Sequence, residues 1–426
     1  MNHLVILLIH SYTTQIFGGK LSVFVRTGRS DYFVGVIRYR RYNYDNMRTY
    51  DPVSRGEYIT MEMMKPPAEV LYARELQALQ QEDKNKRPPH WLLSPVYIRD
   101  FIIGREQPAK LDGEEVPITR KFYGNDILIE RAIVTLAGNR GLMLVGEPGT
   151  AKTMLSELLS AAISGTSTNT IQGTAGTTED MIKYSWNYAM LLDKGPSEQA
   201  LVPSPLYHGM KKGIITRFEE ITRCPSEAQD SLISIMSDKV MNIPELDGGV
   251  LFAKPGFNII GTANIRDKGV NEMSSALKRR FNFETIRPIS NVKLEARIIE
   301  DQARNLLVHS GIDMPIDLEI VELLATTFME LRTGLTREGY KIDVPQAVMS
   351  TAEAVSVYVQ SAMTSYYYED KNVTLDRLVQ NMLGTVAKEN EKDLAALKTY
   401  FSRVIKERAR ENQLWAAYYE EKKWIG

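Results

Sequence analysis

Between about residues 116 and 287, compact apolar blocks alternate with stretches whose apolar positions recur every three or four residues. Leu142–Val145, Thr170–Gln172, Ile214–Phe218, Phe257–Thr262 and Phe281–Ile286 read as strands. Thr170–Gln172 carries the weakest signal of the five. Phe122–Ala137 reads as a helix entry and helix, and Met154, Leu155, Leu158, Leu159 and Ala162 trace one helical face. Strands alternating with helices predict a parallel sheet covered on both faces. Past Pro288 the strand blocks stop. Helical spacing then runs through Leu294–Leu307, Leu318–Leu331, Ala347–Met363 and Leu375–Ala387. A last, charged helix carries Leu394, Leu397, Phe401, Val404 and Ile405, with a tail reaching Trp415 and Trp424. The expected fold class is therefore α/β, a parallel-sheet core over 116–287 followed by an all-α domain over 288–426.

The first 115 residues follow another pattern. In 1–60, Tyr32, Tyr39, Tyr42, Tyr44 and Tyr50 interleave with Arg29, Arg38, Arg40, Arg41 and Arg48. Such a run can stack on nucleic acid; a strand pair with snorkelling arginines is the preferred reading. Met61, Met63 and Met64 open a more conventional helix, and composition makes a start near Met61 an expectation. Residues 61–115 then read as a helical leader and linker, with Asp83–Pro89 a polar break ended by prolines.

The block at Leu142–Val145 leads into Gly146-Glu147-Pro148-Gly149-Thr150-Ala151-Lys152-Thr153, which opens the next helical segment. Strand, glycine-containing loop, Lys-Thr and helix is the order that cradles a nucleotide triphosphate. Backbone N–H groups in the loop and first helical turn lack internal acceptors and face the phosphates. Lys152 is expected to reach the β- and γ-phosphates, and the Thr153 hydroxyl to sit on Mg²⁺. Ala151 stands where the strict pattern has glycine. Taken alone, the stretch also reads as a Gly/Pro turn before an ordinary helix.

Hydrolysis needs more than a cradle. The strand Ile214–Phe218 ends in Glu219-Glu220, beside the loop in such a sheet. Glu219 is expected at the metal, and Glu220 is expected to orient and deprotonate the attacking water. Another core strand ends at Asn264, an amide suited to the γ-phosphate or the water. Arg279 and Arg280 stand just before the last strand, where a cation serves a neighbouring subunit's nucleotide more easily than its own. Each of these pairs, isolated, is an ordinary polar surface feature.

Together, GEPGTAKT, IITRFEEITRCPSEAQDSLISIMSDK, FNIIGTANIRDKG and MSSALKRRF form an ordered set that resembles the AAA+ ATPases, and within them the MoxR-like group. The likeness spans roughly 120–290, with a helical remainder similar to that family's lid. The stretch 170–200 looks like the group's insertion, and Val240–Pro255 like its hairpin before the fourth strand. The resemblance implies a P-loop core binding ATP and Mg²⁺, with Lys152, Thr153, Glu219 and Glu220 in the two nucleotide motifs. It implies that Asn264 is the first sensor, that Arg280, with Arg279 as rival, is the trans-acting arginine, and that Tyr123-Gly124 lines the adenine pocket. Three positions depart from the family. Ala151 replaces glycine. Glu219 replaces aspartate, which shifts the carboxylate by about one bond length and loosens Mg²⁺ geometry. Val344-Pro345-Gln346 stands where the lid supplies a sensor arginine; Gln346 hydrogen-bonds a phosphate without charge, and Arg337 or Lys341 is a substitute.

Bulk properties narrow the field. The 426 residues carry a formal net charge of −1 and one cysteine, Cys224. Near-neutral charge argues against a nucleic-acid polyanion as partner, and a single cysteine favours a reducing compartment, the cytoplasm. Leu4–Ile9 is too short to span a bilayer and lacks the flanks of a signal peptide. Five scattered histidines give no zinc spacing. The leading expectation is an ATP-hydrolysing homohexameric ring. By family likeness it remodels or assembles client proteins, with a von Willebrand factor A domain protein as a candidate partner. The alternatives are a nucleotide-gated binding module with little turnover and a nucleic-acid motor.

Overall fold

A computed structural model describes residues 12–17, 20–27, 30–38, 63–264, 271–368, 372–387, 390–410 and 412–426. Two compact units emerge, Met1–Arg55 and Gly56–Gly426. In the first, β1 (Tyr12–Phe17), β2 (Lys20–Thr27) and β3 (Ser30–Arg38) form an antiparallel sheet in that order. The register shifts between Val23 and Phe24. Three strands thus stand where a pair was expected. Of the Arg/Tyr run only Tyr32 and Arg38 fall on a strand, and the remainder lies outside the described residues, as does Met61.

The second unit opens with α1 (Ala73–Glu82) and α2 (Pro95–Ile103). Met63 and Met64 precede the first helical turn, which begins at Ala68. Pro66 and Pro67 explain the delay, because a residue before proline is pushed into extended conformations. A small hairpin, β4 (Ala109–Leu111) and β5 (Glu114–Val116), follows. The leader is not a separate segment: Leu79, Phe101 and Ile102 share one core with Leu144, Leu159 and Ile260.

The main sheet contains β6 (Gly141–Gly146), β7 (Thr170–Gln172), β10 (Ile215–Glu219), β13 (Asn258–Asn264) and β14 (Phe281–Ile286). Their order is β14-β6-β13-β10-β7, parallel throughout. Strands buried on both faces need unbroken rather than alternating apolar runs, and all five β10 side chains are buried. One face is covered by α3 (Asp126–Ala137), whose N-cap Asn125 accepts from the Ile127 N–H, and by α4 (Lys152–Ser164). The sheet's other face is covered by a core that includes Phe218, Ile235 and Phe257. Between β7 and β10 the chain inserts β8 (Tyr184–Trp186), α5 (Tyr188–Lys194) and β9 (Leu201–Pro203), with β8 and β9 antiparallel, then α6 (Pro205–Lys212). Beyond α7 (Leu232–Asp238), β11 (Val240–Ile243) and β12 (Gly249–Phe252) make the hairpin.

After β14 the fold is helical: α8 (Val292–His309), α9 (Leu318–Thr333), α10 (Thr351–Tyr367), α11 (Leu375–Met382), α12 (Glu391–Tyr400) and α13 (Gln413–Glu420). They close around a core containing Phe328, Tyr358, Phe401 and Tyr418. Two boundaries differ from expectation. α10 starts at Thr351, not near Ala347, because Ser350 and Glu353 form a reciprocal capping box. The expected Leu375–Ala387 helix widens at Leu383–Ala387 into i→i+5 turns, and Phe401–Ile405 does the same. Among the described residues, no helix is long and apolar enough to cross a membrane.

Candidate nucleotide site

Parallel pairing aligns the chemistry at one edge of the sheet. Gly146 at the end of β6 is level with Asn264 of β13 and Ile286 of β14, and Phe218 of β10 pairs with Gly261 of β13. The loop Glu147–Ala151 bridges β6 to α4. Gly149 (φ +74°) adopts a backbone that favours glycine, and a Cβ there would lie 2.2 Å from the Ser350 Cβ. Ala151 also lies in the left-handed region, φ +64°. That conformation costs an alanine about 1–2 kcal/mol, a strain the surrounding structure sustains where the common pattern has glycine.

Lys152, the first residue of α4, is buried, and its Nζ donates to the carbonyls of Glu147 (2.7 Å) and Gly146 (3.3 Å). The exposed Thr153 hydroxyl donates to Glu219 Oε2 at 2.9 Å. Glu220 sits at φ +54°, its N–H donating to Thr262 Oγ1. Its carboxylate accepts from Asn264 Nδ2 at 2.8 and 3.0 Å, and Arg223 Nε lies 3.6 Å away. A left-handed non-glycine residue at a strand end stores about 1–3 kcal/mol and is a mark of functional constraint.

These groups border a cavity of about 390 Å³. Its floor is Glu147–Met154 and one edge holds Glu220 and Asn264. The opposite walls come from Phe122 and Tyr123, the Ile286–Ile289 linker, α8 (Ile298, Gln302) and the start of α10 (Ser350–Ala352). Gly124 lines a neighbouring cavity of about 610 Å³ that shares Phe122 and Tyr123. Burial and nearby Asp301 raise the Tyr123 phenol's pKa. The donors fit a polyphosphate: a glycine cradle, a helix N-terminus and a buried lysine.

Four expected residues are placed otherwise. Glu219 does not line the cavity but lies behind Thr153, 4% exposed. Gln346 also lies off the cavity; it is exposed, with its N–H donating to Asp393. Gln346 precedes α10, whose N-cap is Ser350, and so stands outside the helix. The substitutes fail too, since Arg337 pairs with Glu338 and the exposed Lys341 lies off the cavity. The lid cation that does line it is Arg332, from the last turn of α9. Its guanidinium grips Glu295 at 2.7 and 2.9 Å and donates to the carbonyls of Ile289 and Met349. Arg279 and Arg280 stand at the far end of β14. That six-residue strand separates them from the loop, which at about 3.3 Å per residue puts them roughly 20 Å from it. Arg280 bonds Ser237 Oγ and the Ala276 carbonyl; Arg279 is exposed and makes no side-chain hydrogen bond or ion pair among the described residues.

Residues 141–281 match the AAA domain (dynein-related subfamily), and 293–426 match the YehL-like AAA+ ATPase C-terminal domain. Over 360 residues the chain is 48% identical to YehL of Escherichia coli (strain K12), covering 84% of this chain and 96% of that one. The chain belongs to the AAA+ ATPases. Within them it stands in the MoxR-like group, beside YehL. It is 28% identical to the chaperone MoxR1 of Mycobacterium tuberculosis (strain ATCC 25618 / H37Rv), over 39% of this chain and 41% of that one. Among solved structures, NtrX from Brucella abortus aligns at 13% identity and TM-score 0.42, over 71% of this chain and 69% of that one. In this AAA+ chain the sequence reading overlooked Arg332, Ser350 and Arg217. Ser350-Thr351-Ala352-Glu353 was a capping-box signal, and Arg217 a charge inside an apolar strand. Nothing in the local sequence marks Arg332.

Proposed function

We propose that the chain binds ATP with Mg²⁺ at this cavity and hydrolyses it as a ring ATPase of the MoxR-like type. The observation that carries the reading is the Glu220 carboxylate, set at the cavity edge on a left-handed backbone and held by Asn264 beside Thr153 and Lys152. Lys152 would exchange its loop carbonyls for phosphate oxygens, and the α4 N-terminus would cradle the same group. Glu220 takes a proton from the attacking water, while Asn264 fixes the carboxylate's direction.

Among the described residues no cluster of three or more acidic, His or Cys side chains is arranged for a metal. The donor set instead fits magnesium held largely by nucleotide phosphates. Thr153 would hold it, since its hydroxyl proton points to Glu219 and its lone pairs remain available. Bound there, the ion neutralises charge developing on the phosphate oxygens.

A homohexamer is supported by the distance of Arg279 and Arg280 from their own loop, which suits service to a neighbour's nucleotide. A protein client is supported by the likeness to a chaperone and by α5, which buries no residue and exposes Tyr188 (75%) and Leu192 (90%). A partner with a von Willebrand factor A domain and a cytoplasmic setting belong to the same proposal. Phosphate release by the purified chain tests it: Lys152→Ala abolishes nucleotide binding, and Glu220→Gln keeps binding but cuts turnover about 10²–10⁴-fold. Equal, near-background release by wild type and Glu220→Gln would instead favour a nucleotide-gated switch, a reading favoured by Glu219 lying off the cavity.

A further inference from the structure

Arg217 is a charge in the middle of a buried strand. Its side chain is 6% exposed, and its donors are all engaged. Nε donates to Ser156 Oγ (2.9 Å) and Nη1 to the Ser167 carbonyl (2.7 Å) and Thr170 Oγ1 (3.3 Å). Nη2 donates to Glu219 Oε1 (2.8 Å) and approaches Glu157 at 3.5 Å. A buried cation of this kind joins α4, β7 and β10 beneath the phosphate loop.

Counting acceptor sites on Glu219 gives its consequence. Oε1 receives Arg217 Nη2 and the Ser156 hydroxyl (2.7 Å), whose one proton is shared with the Thr153 carbonyl (2.8 Å); Oε2 receives the hydroxyls of Thr153 (2.9 Å) and Thr262 (2.8 Å). An ionised carboxylate has about four lone-pair sites. All four are taken, none faces the cavity, and the charge is balanced by Arg217 at hydrogen-bond distance. Thr153 is the member of this set that borders the cavity.

We infer that Arg217 is a positioning residue that withdraws Glu219 from the metal's surroundings and commits it to orienting the Thr153 hydroxyl, so that nucleotide binding depends only weakly on magnesium. The inference rests on the nucleotide-binding reading above. With Glu219 neutralised, the polyphosphate meets Lys152, Arg287 and Arg332 on the cavity walls without that acid's repulsion. Magnesium then has less anionic charge to offset.

The test is the ratio of affinities for a fluorescent ATP analogue in EDTA and in magnesium, read from equilibrium binding rather than activity. The wild-type ratio is expected to stay within about tenfold. Arg217→Met exposes an uncompensated Glu219 to the metal and raises the ratio by about tenfold or more. The double variant Arg217→Met, Glu219→Gln gives up the guanidinium's bonds but keeps the hydroxyl contacts of residue 219 without charge: the amide N–H₂ faces Ser156, and its oxygen faces Thr153 and Thr262. It returns the ratio to the wild-type value, with thermal unfolding confirming that it folds. A wild-type ratio of about a hundredfold or more, or a double variant that loses its response to magnesium, overturns the inference by making Glu219 a metal partner. Absence of any nucleotide binding by the wild type would overturn the proposed function instead.

Discussion

The site's individual residues divide by how far they reach. Lys152 begins α4, and Glu220 and Asn264 stand at strand ends, so motif and strand pattern together pointed to their place on the cavity. Arg332 reaches across the fold: it lies in the last turn of one lid helix and touches the linker, α8 and the approach to α10. No spacing in the sequence announces such a convergence. Gln346 lies off the cavity, four positions before Ser350, the cap from which α10 starts. If Arg332 is the lid's cation toward the nucleotide, its removal must be measured without stranding Glu295, which is 0% exposed. Breaking a buried pair by deleting one partner costs about 3–5 kcal/mol in itself. Arg332→Met combined with Glu295→Gln is therefore compared with Glu295→Gln alone. The expected result is about tenfold weaker nucleotide binding, measured by titration calorimetry.

At the scale of elements, the sheet was legible where core strands are nearly pure apolar runs, as at Leu142–Val145; Thr170–Gln172, with one apolar residue and the weakest signal, was still recovered to the residue. The lid was less legible. Leu375–Ala387 and the final helix have continuous helical spacing, yet both widen into i→i+5 turns where tertiary packing overrides the local preference. What fastens those last helices is a charged cluster: Arg408 grips Glu330 and Glu338, and the Tyr400 hydroxyl donates to Glu330 at 2.7 Å. Trp415 covers the guanidinium at 4.9 Å. Arg408 holds the Glu338 carboxyl far below its ordinary value of 4.5. An acid so depressed contributes stability in full above its unfolded pKa, and loses it as pH falls below that value. Urea unfolding from about pH 7 to pH 3 checks this: Glu338→Gln should lower stability at neutral pH and flatten the decline on the acid side.

For the whole molecule, the core and lid form one unit while Met1–Arg55 forms another. The arginines at the N-terminal end of β14 turn the question of assembly into one of enzymology. Arg280→Ala, or Arg279→Ala if that residue is the trans cation, leaves ATP binding nearly intact and removes turnover. Glu220→Gln has an intact arginine and no base. Each is inactive alone, but an equimolar mixture regains a fraction of wild-type phosphate release, because some interfaces join an intact acid to an intact arginine. A mixture as inactive as its components would refute service between subunits.

The approach of Ser350 to Gly149 makes a single added methyl into a mechanical wedge. A side chain at 149 would occupy the space of the serine that begins the third lid helix, so Gly149→Ala props the helical domain away from the loop as well as straining the backbone. Small-angle scattering should then report a larger radius of gyration. In the natural chain the bare backbone at 149 is the clearance that lets the cap of α10 rest against the loop.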